Sequence, residues 1–102
     1  MGIFGAKKPE VTVRLKVAGF MDGRIVTAEF PLAVPEGASL KEVFKLADKS
    51  GKLPARAMKI FLSLPRPPTV LHNGRNLDVP AELRATIAAG DEIAVMTPFA
   101  GG

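Results

Sequence analysis

From Val11 onward apolar and polar residues alternate strictly. Val11, Val13, Leu15 and Val17 fall on one side, and Thr12, Arg14, Lys16 and Ala18 on the other. A period of two is the mark of a strand with one buried face. A turn around Asp22-Gly23 leads into a second alternating run, in which Val26, Ala28, Phe30, Leu32 and Val34 share a face. The two runs predict a hairpin, and Pro31, which has no backbone N–H to donate, sets its strand away from central pairing. Pro35-Glu36-Gly37 breaks the strand, and Ser39-Leu40-Lys41-Glu42 then reads as a capping box. In that motif the serine and glutamate side chains each accept from a backbone N–H that a helix start leaves without a partner. Leu40, Val43, Phe44 and Ala47 follow the i, i+3, i+4, i+7 spacing of a buried stripe, and Gly51 can supply the left-handed residue that ends the helix.

The stretch from Leu53 to Pro68 supports two readings. Ala57, Ile60, Phe61 and Leu64 repeat at helical spacing after Pro54, a residue suited to a first turn, whereas Ile60-Phe61-Leu62 also suits a strand. The helical repeat favours a short helix, and Pro65-Arg66-Pro67-Pro68 cannot continue it and predicts a stiff extended connector. Thr69 to His72, then Asn73-Gly74, then Arg75 to Leu77 is a strong hairpin pattern, because a two-residue type I′ turn needs positive φ at both positions. Pro80 to Leu83 suggests a helical turn, Gly90-Asp91-Glu92 a reversal, and Ile93 to Met96 a last short, largely buried strand stopped by Pro98. The order predicts an α+β fold: a mixed sheet of roughly four or five strands gripping one main helix that begins near Leu40.

With 102 residues, 47% of them hydrophobic, the chain suits one core and leaves no room for two. No window reaches the roughly 18 consecutive apolar residues of a membrane span. Fourteen Lys and Arg against ten Asp and Glu give a charge of +4, spread too evenly along the sequence to argue for nucleic acid. The absence of cysteine excludes disulfides and thiolate metal sites. Gly2 follows Met1, but Ala6 stands where myristoylation prefers Ser or Thr, and no apolar signal core follows Lys7-Lys8-Pro9. The expectation is a cytoplasmic protein with a loose arm over 1–9, a folded domain over 10–97 and a mobile tail over 98–102.

That tail is Pro98-Phe99-Ala100-Gly101-Gly102. With ten glycines in the chain, two at the final positions would occur in about 1% of shuffled sequences. Together with the Asn73-Gly74 hairpin and the Gly90-Asp91-Glu92-Ile93-Ala94 turn into the last strand, this ending resembles the MoaD/ThiS sulfur carriers of the ubiquitin-like β-grasp class. That family includes the small subunit of molybdopterin synthase and the thiamine-pathway sulfur carrier. The resemblance spans roughly residues 10 to 102. This chain departs from the minimal carriers in its N-terminal arm, its 53–68 segment and its basic charge.

The resemblance implies a carrier rather than an enzyme, one that can serve as the small subunit of a molybdopterin synthase-type complex. An E1-like adenylating enzyme would use ATP to activate the Gly102 carboxylate, and sulfur from a persulfide would displace AMP to leave a thiocarboxylate. No cofactor is expected on the chain itself. Gly101 and Gly102, lacking a β-carbon, could thread a narrow channel. Pro98, Phe99 and Ala100 would contact partners, although Phe99 suits a core residue closing the sheet as well as an anchor. The acceptor would be an enzyme such as a molybdopterin synthase large subunit, with thiazole synthesis, tRNA or amino-acid thiolation and attachment to protein lysines as alternatives. A ubiquitin-like binding module without terminal chemistry is the alternative of another class. Neither a membrane nor a nucleic acid partner is expected.

The remaining candidates read more plainly. Lys41, Lys45 and Lys49 lie at i, i+4, i+8 opposite the apolar stripe, which suits a solvated face or an acidic partner. His72, the only histidine, shows no carboxylate partner in the sequence and reads as structural. Asp91 and Glu92 are adjacent, unlike a catalytic carboxylate pair, and read as turn residues kept for solubility. No Gly-rich phosphate loop precedes a helix, so the chain should not bind ATP by itself.

Overall fold

The computed structural model describes residues 9–21 and 23–97. Strands β1 (Glu10–Met21) and β2 (Arg24–Pro35) form the first hairpin, helices α1 (Leu40–Lys49) and α2 (Ala57–Leu62) follow, and β3 (Thr69–His72), β4 (Arg75–Leu77) and β5 (Glu92–Met96) complete the chain. The five strands make one sheet in the order β2-β1-β5-β3-β4. β1 and β5 run parallel at its centre, and the other neighbours are antiparallel. β2 and β3 therefore point the same way, and the helical segment makes the long connection that such a pair requires. β2 is an edge strand, which is where Pro31, opposite Arg14, can sit without breaking a central ladder.

The alternation in the sequence becomes the two faces of this sheet. Val13, Leu15 and Val17 of β1, Phe30, Leu32 and Val34 of β2, and Ile93 and Val95 of β5 are buried on the inner face. Against them packs the α1 stripe, with Leu40, Val43, Phe44 and Ala47 all buried. The capping box is formed: Glu42 N–H donates to Ser39 Oγ at 3.2 Å and Ser39 N–H donates to Glu42 Oε1 at 3.1 Å. The 83–87 segment supplies further partners to the same end of the helix, since Leu40 and Lys41 donate their N–H groups to the carbonyls of Ala85 and Leu83. Gly51 adopts φ 78° just past the α1 cap, and Asn73 and Gly74 adopt φ 52° and 83° in the second hairpin.

Two local expectations are corrected. The helix in the 53–68 segment exists, but it starts at Ala57 after a left-handed Arg56 at φ 62°, so Pro54 lies before it in a turn. Its buried residues are Ala57, Met58 and Phe61, whereas Ile60 is 38% exposed, because Phe61 packs at Gly19 and Asp48 of α1 accepts from the N–H groups of Met58 and Lys59, which turns a different stripe to the core. The helical turn expected at Pro80 to Leu83 is present as successive hydrogen-bonded turns, Glu82 N–H to Asp78 O and Leu83 N–H to Pro80 O, that do not extend into a helix.

Candidate functional site

At the end of β5 the chain leaves the sheet through Thr97. Its N–H donates to the carbonyl of Ala18 at 3.0 Å, and its hydroxyl accepts from the N–H of Phe20 at 3.0 Å. Thr97 thus holds β1 twice beyond the last strand pair, Ala18 with Met96. It is 4% exposed, the one buried polar side chain among the described residues. A Cβ at Gly19 would stand 2.7 Å from Phe61 Cζ and 3.0 Å from Thr97 Oγ1, closer than packing allows. Gly19, with Phe61 and Thr97 both crowding the position a Cβ would take, therefore forms one close-packed plug at the end of β5. The sequence reading passed over Gly19 and Thr97. The available signal was a glycine inside a strictly alternating strand, which marks a close approach.

The outer face of the sheet beside this plug is apolar. Phe20 stands directly across from Ile25, and Met96 lies beside Ala18 one step along the same face. Phe20, Ile25 and Met96 are 40%, 66% and 40% exposed, three of the four large hydrophobic side chains exposed among the described residues. Farther from the plug the same face is charged, with Arg14 paired to Glu29 at 3.6 Å and Lys16 to Glu92 at 3.1 Å. An apolar patch rimmed by charge is the anatomy of a protein-docking surface.

The other end of β5 holds a polar cluster. His72 Nε2 lies 2.6 Å from Asp91 Oδ2, so the histidine does have a carboxylate partner, nineteen residues away in sequence and adjacent through the β3–β5 pairing. A carboxylate only accepts, which makes Nε2–H the donor. Asp91 also accepts from Asn73 Nδ2 at 2.9 Å and from Ala88 N–H at 2.8 Å, and Asn73 Oδ1 accepts from Glu92 N–H at 2.8 Å. Partial burial would raise the Asp91 pKa, but the hydrogen bonds from Asn73, His72 and Ala88 outweigh it and hold the group at about 2 against an ordinary 3.8. Asp91 is a structural clasp between two turns, not a solvated turn residue. Six residues of extended chain, about 20 Å, separate it from Thr97. Among the described residues no group of three or more His, Asp or Glu could hold a metal ion.

Pro98, Phe99, Ala100, Gly101 and Gly102, the residues on which the expected chemistry rests, lie outside the described residues, as do 1–8 of the expected arm.

A model of the ThiS family matches residues 21–102, four-fifths of the chain and all of its last strand and ending. The chain belongs to the ThiS family. Its architecture is the MoaD/ThiS-type β-grasp that the hairpin, the reversal into β5 and the terminal glycines suggested. Among solved structures it is similar to the small archaeal modifier protein 1 (SAMP1) from Methanosarcina acetivorans, at 26% identity and a TM-score of 0.56, covering 92% of this chain and 99% of that one. It shares its fold with the Haloferax volcanii HVO 2177 protein, at 19% identity and a TM-score of 0.57, covering 100% of this chain and 98% of that one. No curated protein sequence matches significantly. As a ThiS-family member the chain has a ubiquitin-like sulfur-carrier or modifier fold, and its partners are of the activating-enzyme and acceptor-enzyme kind in general. No helix among the described residues is long and apolar enough to cross a membrane.

Proposed function

We propose that this ThiS-family chain carries sulfur on the carboxylate of Gly102. The observation that supports the reading most is the family match running through Gly101-Gly102, and the exposed apolar patch of Phe20, Ile25 and Met96 at the end of β5 is consistent with it. A free carboxylate is a poor acyl donor. An E1-like enzyme would join it to the α-phosphate of ATP, releasing pyrophosphate, and a persulfide sulfur would then attack the acyl carbon and expel AMP. Reductive cleavage of the resulting acyl disulfide by a thiol leaves the thiocarboxylate. The chain itself holds no cofactor in this scheme, and ATP belongs to the activating enzyme. Delivery to a pterin precursor by a molybdopterin synthase-type large subunit is the first acceptor route, resting on the Pro-Phe-Ala-Gly-Gly ending. Phe20 and Met96 would dock the partners, with Pro98, Phe99 and Ala100 guiding the tail.

Attachment to protein lysines is the second reading, and the likeness to a protein described as a small archaeal modifier favours it. Both readings use the same acyl adenylate. The test is adenylate formation by the activating enzyme of the native host. Wild type is expected to be a substrate, whereas deletion of Gly101 and Gly102 abolishes the reaction without changing thermal stability. One residue added after Gly102 also blocks it, because the new terminus overshoots by about 3.3–3.6 Å. Adenylation of the shortened chain would leave the plain binding module as the better account.

A further inference from the structure

The chain's net charge, expected to be evenly spread, is instead concentrated in one stretch that the fold gathers around a groove. The span from Lys41 to Lys59 holds six basic and two acidic residues, so it alone accounts for the formal +4, and the eight basic and eight acidic residues elsewhere cancel. Five of those cations, Lys41, Lys45 and Lys49 of α1 with Arg56 and Lys59 at the start of α2, line a groove of about 740 Å³ between the two helices. The floor of the groove is apolar, made by Phe44, Met58, Leu62 and Leu83. One carboxylate lies in it, Asp48, and both its oxygens are engaged: Oδ1 accepts from Met58 N–H at 2.8 Å and Oδ2 from Lys59 N–H at 3.1 Å. Asp48 thereby docks α2 on α1 and builds the groove, whose five cations outnumber its one carboxylate. Among the described residues none of the five cations is ion-paired.

We propose that this groove is a docking site for an acidic, apolar-anchored segment of a partner protein. Lys41, Lys45 and Lys49 recur every four residues, about 6 Å along the helix axis. Carboxylates on one side of a bound segment recur at nearly that interval, whether on successive turns of a helix or at every second residue of an extended chain. An aliphatic or aromatic side chain between them would cover the Leu62 and Leu83 floor. A nucleic acid site would need faces on which bases stack, and Phe44, the one aromatic ring in the groove, is 2% exposed. The concavity of the site likewise disfavours a flat anionic membrane. Because the groove opens on the solvent side of the helices, a partner there leaves the outer sheet face free, and the inference does not depend on the carrier reading.

The test is an NMR titration of the full-length chain, with a twelve-residue peptide of alternating Glu and Leu as the probe. The amide shifts of Lys41, Lys45, Lys49 and Lys59 are expected to move together. Lys45→Glu combined with Lys49→Glu should weaken binding by about tenfold or more, as should a Gln-for-Glu peptide, with the variant's melting temperature unchanged. A Lys45→Gln, Lys49→Gln chain should fall between. Replacing the peptide's leucines with serine should also weaken binding several-fold. Absence of binding to the acidic peptide, shifts located elsewhere, or equal affinity of the charge-reversed variant would overturn the proposal. So would tighter binding in this groove of a single-stranded RNA, or of vesicles rich in phosphatidylserine.

Discussion

Asp91 shows how much one side chain can carry when its partners come from distant parts of the chain. Its carboxylate gathers donors from His72, Asn73 and Ala88, tying the second hairpin to the turn that feeds β5. Its folded-state pKa of about 2 lies below the ordinary 3.8, so the ionised form is the one that folding favours. The stability it contributes is therefore complete above about pH 4 and is lost as the pH falls toward 2, amounting to about 2 kcal/mol. Urea unfolding across that range should show this slope in wild type, and Asp91→Asn should flatten it while lowering stability at neutral pH. An unchanged slope in the variant would show that other carboxylates carry it. At the other end of β5, Gly19→Ala would push a methyl to 2.7 Å from the Phe61 ring and should cost about 1–3 kcal/mol, read as a lowered urea midpoint.

Elements with a local cause were legible from the sequence. The first hairpin, α1 with its capping box, and the Asn73-Gly74 turn each depend on residues within a few positions of one another, and all three are present. Where the cause is tertiary, the sequence offered little beyond the glycine at position 19. The face α2 buries follows from Gly19 of β1, where Phe61 packs, and from Asp48 of α1, which accepts from Met58 N–H, so Met58 takes the position that periodicity offered to Ile60. The partnership of His72 with Asp91 depends on the β3–β5 register, and no spacing rule foretells a register. The apolar patch was equally hidden, because Phe20, Ile25 and Met96 meet only once β1 lies between β2 and β5. Replacing Phe20 with Asp should lower affinity for the activating enzyme by about 1–2 kcal/mol if the patch is its docking face. Calorimetric titration with that enzyme checks this, and since the residue is 40% exposed the melting temperature should barely move.

Across the whole molecule, three surfaces divide the work. The sheet's outer face is apolar around Phe20, Ile25 and Met96 and charged farther away, the inner face is the core, and the helices turn the chain's net positive charge outward. In the carrier account the fold only positions, and the chemistry lies in one carboxylate beyond it. The most direct measurement is the intact mass of the protein purified from its native host without reducing or alkylating treatment. The account predicts a population heavier by about 16 Da, one oxygen replaced by sulfur, with the shift mapping to the C-terminal peptide that ends in Gly102. An unshifted terminus during active synthesis, with no Gly102 joined to a lysine of another protein, would contradict it.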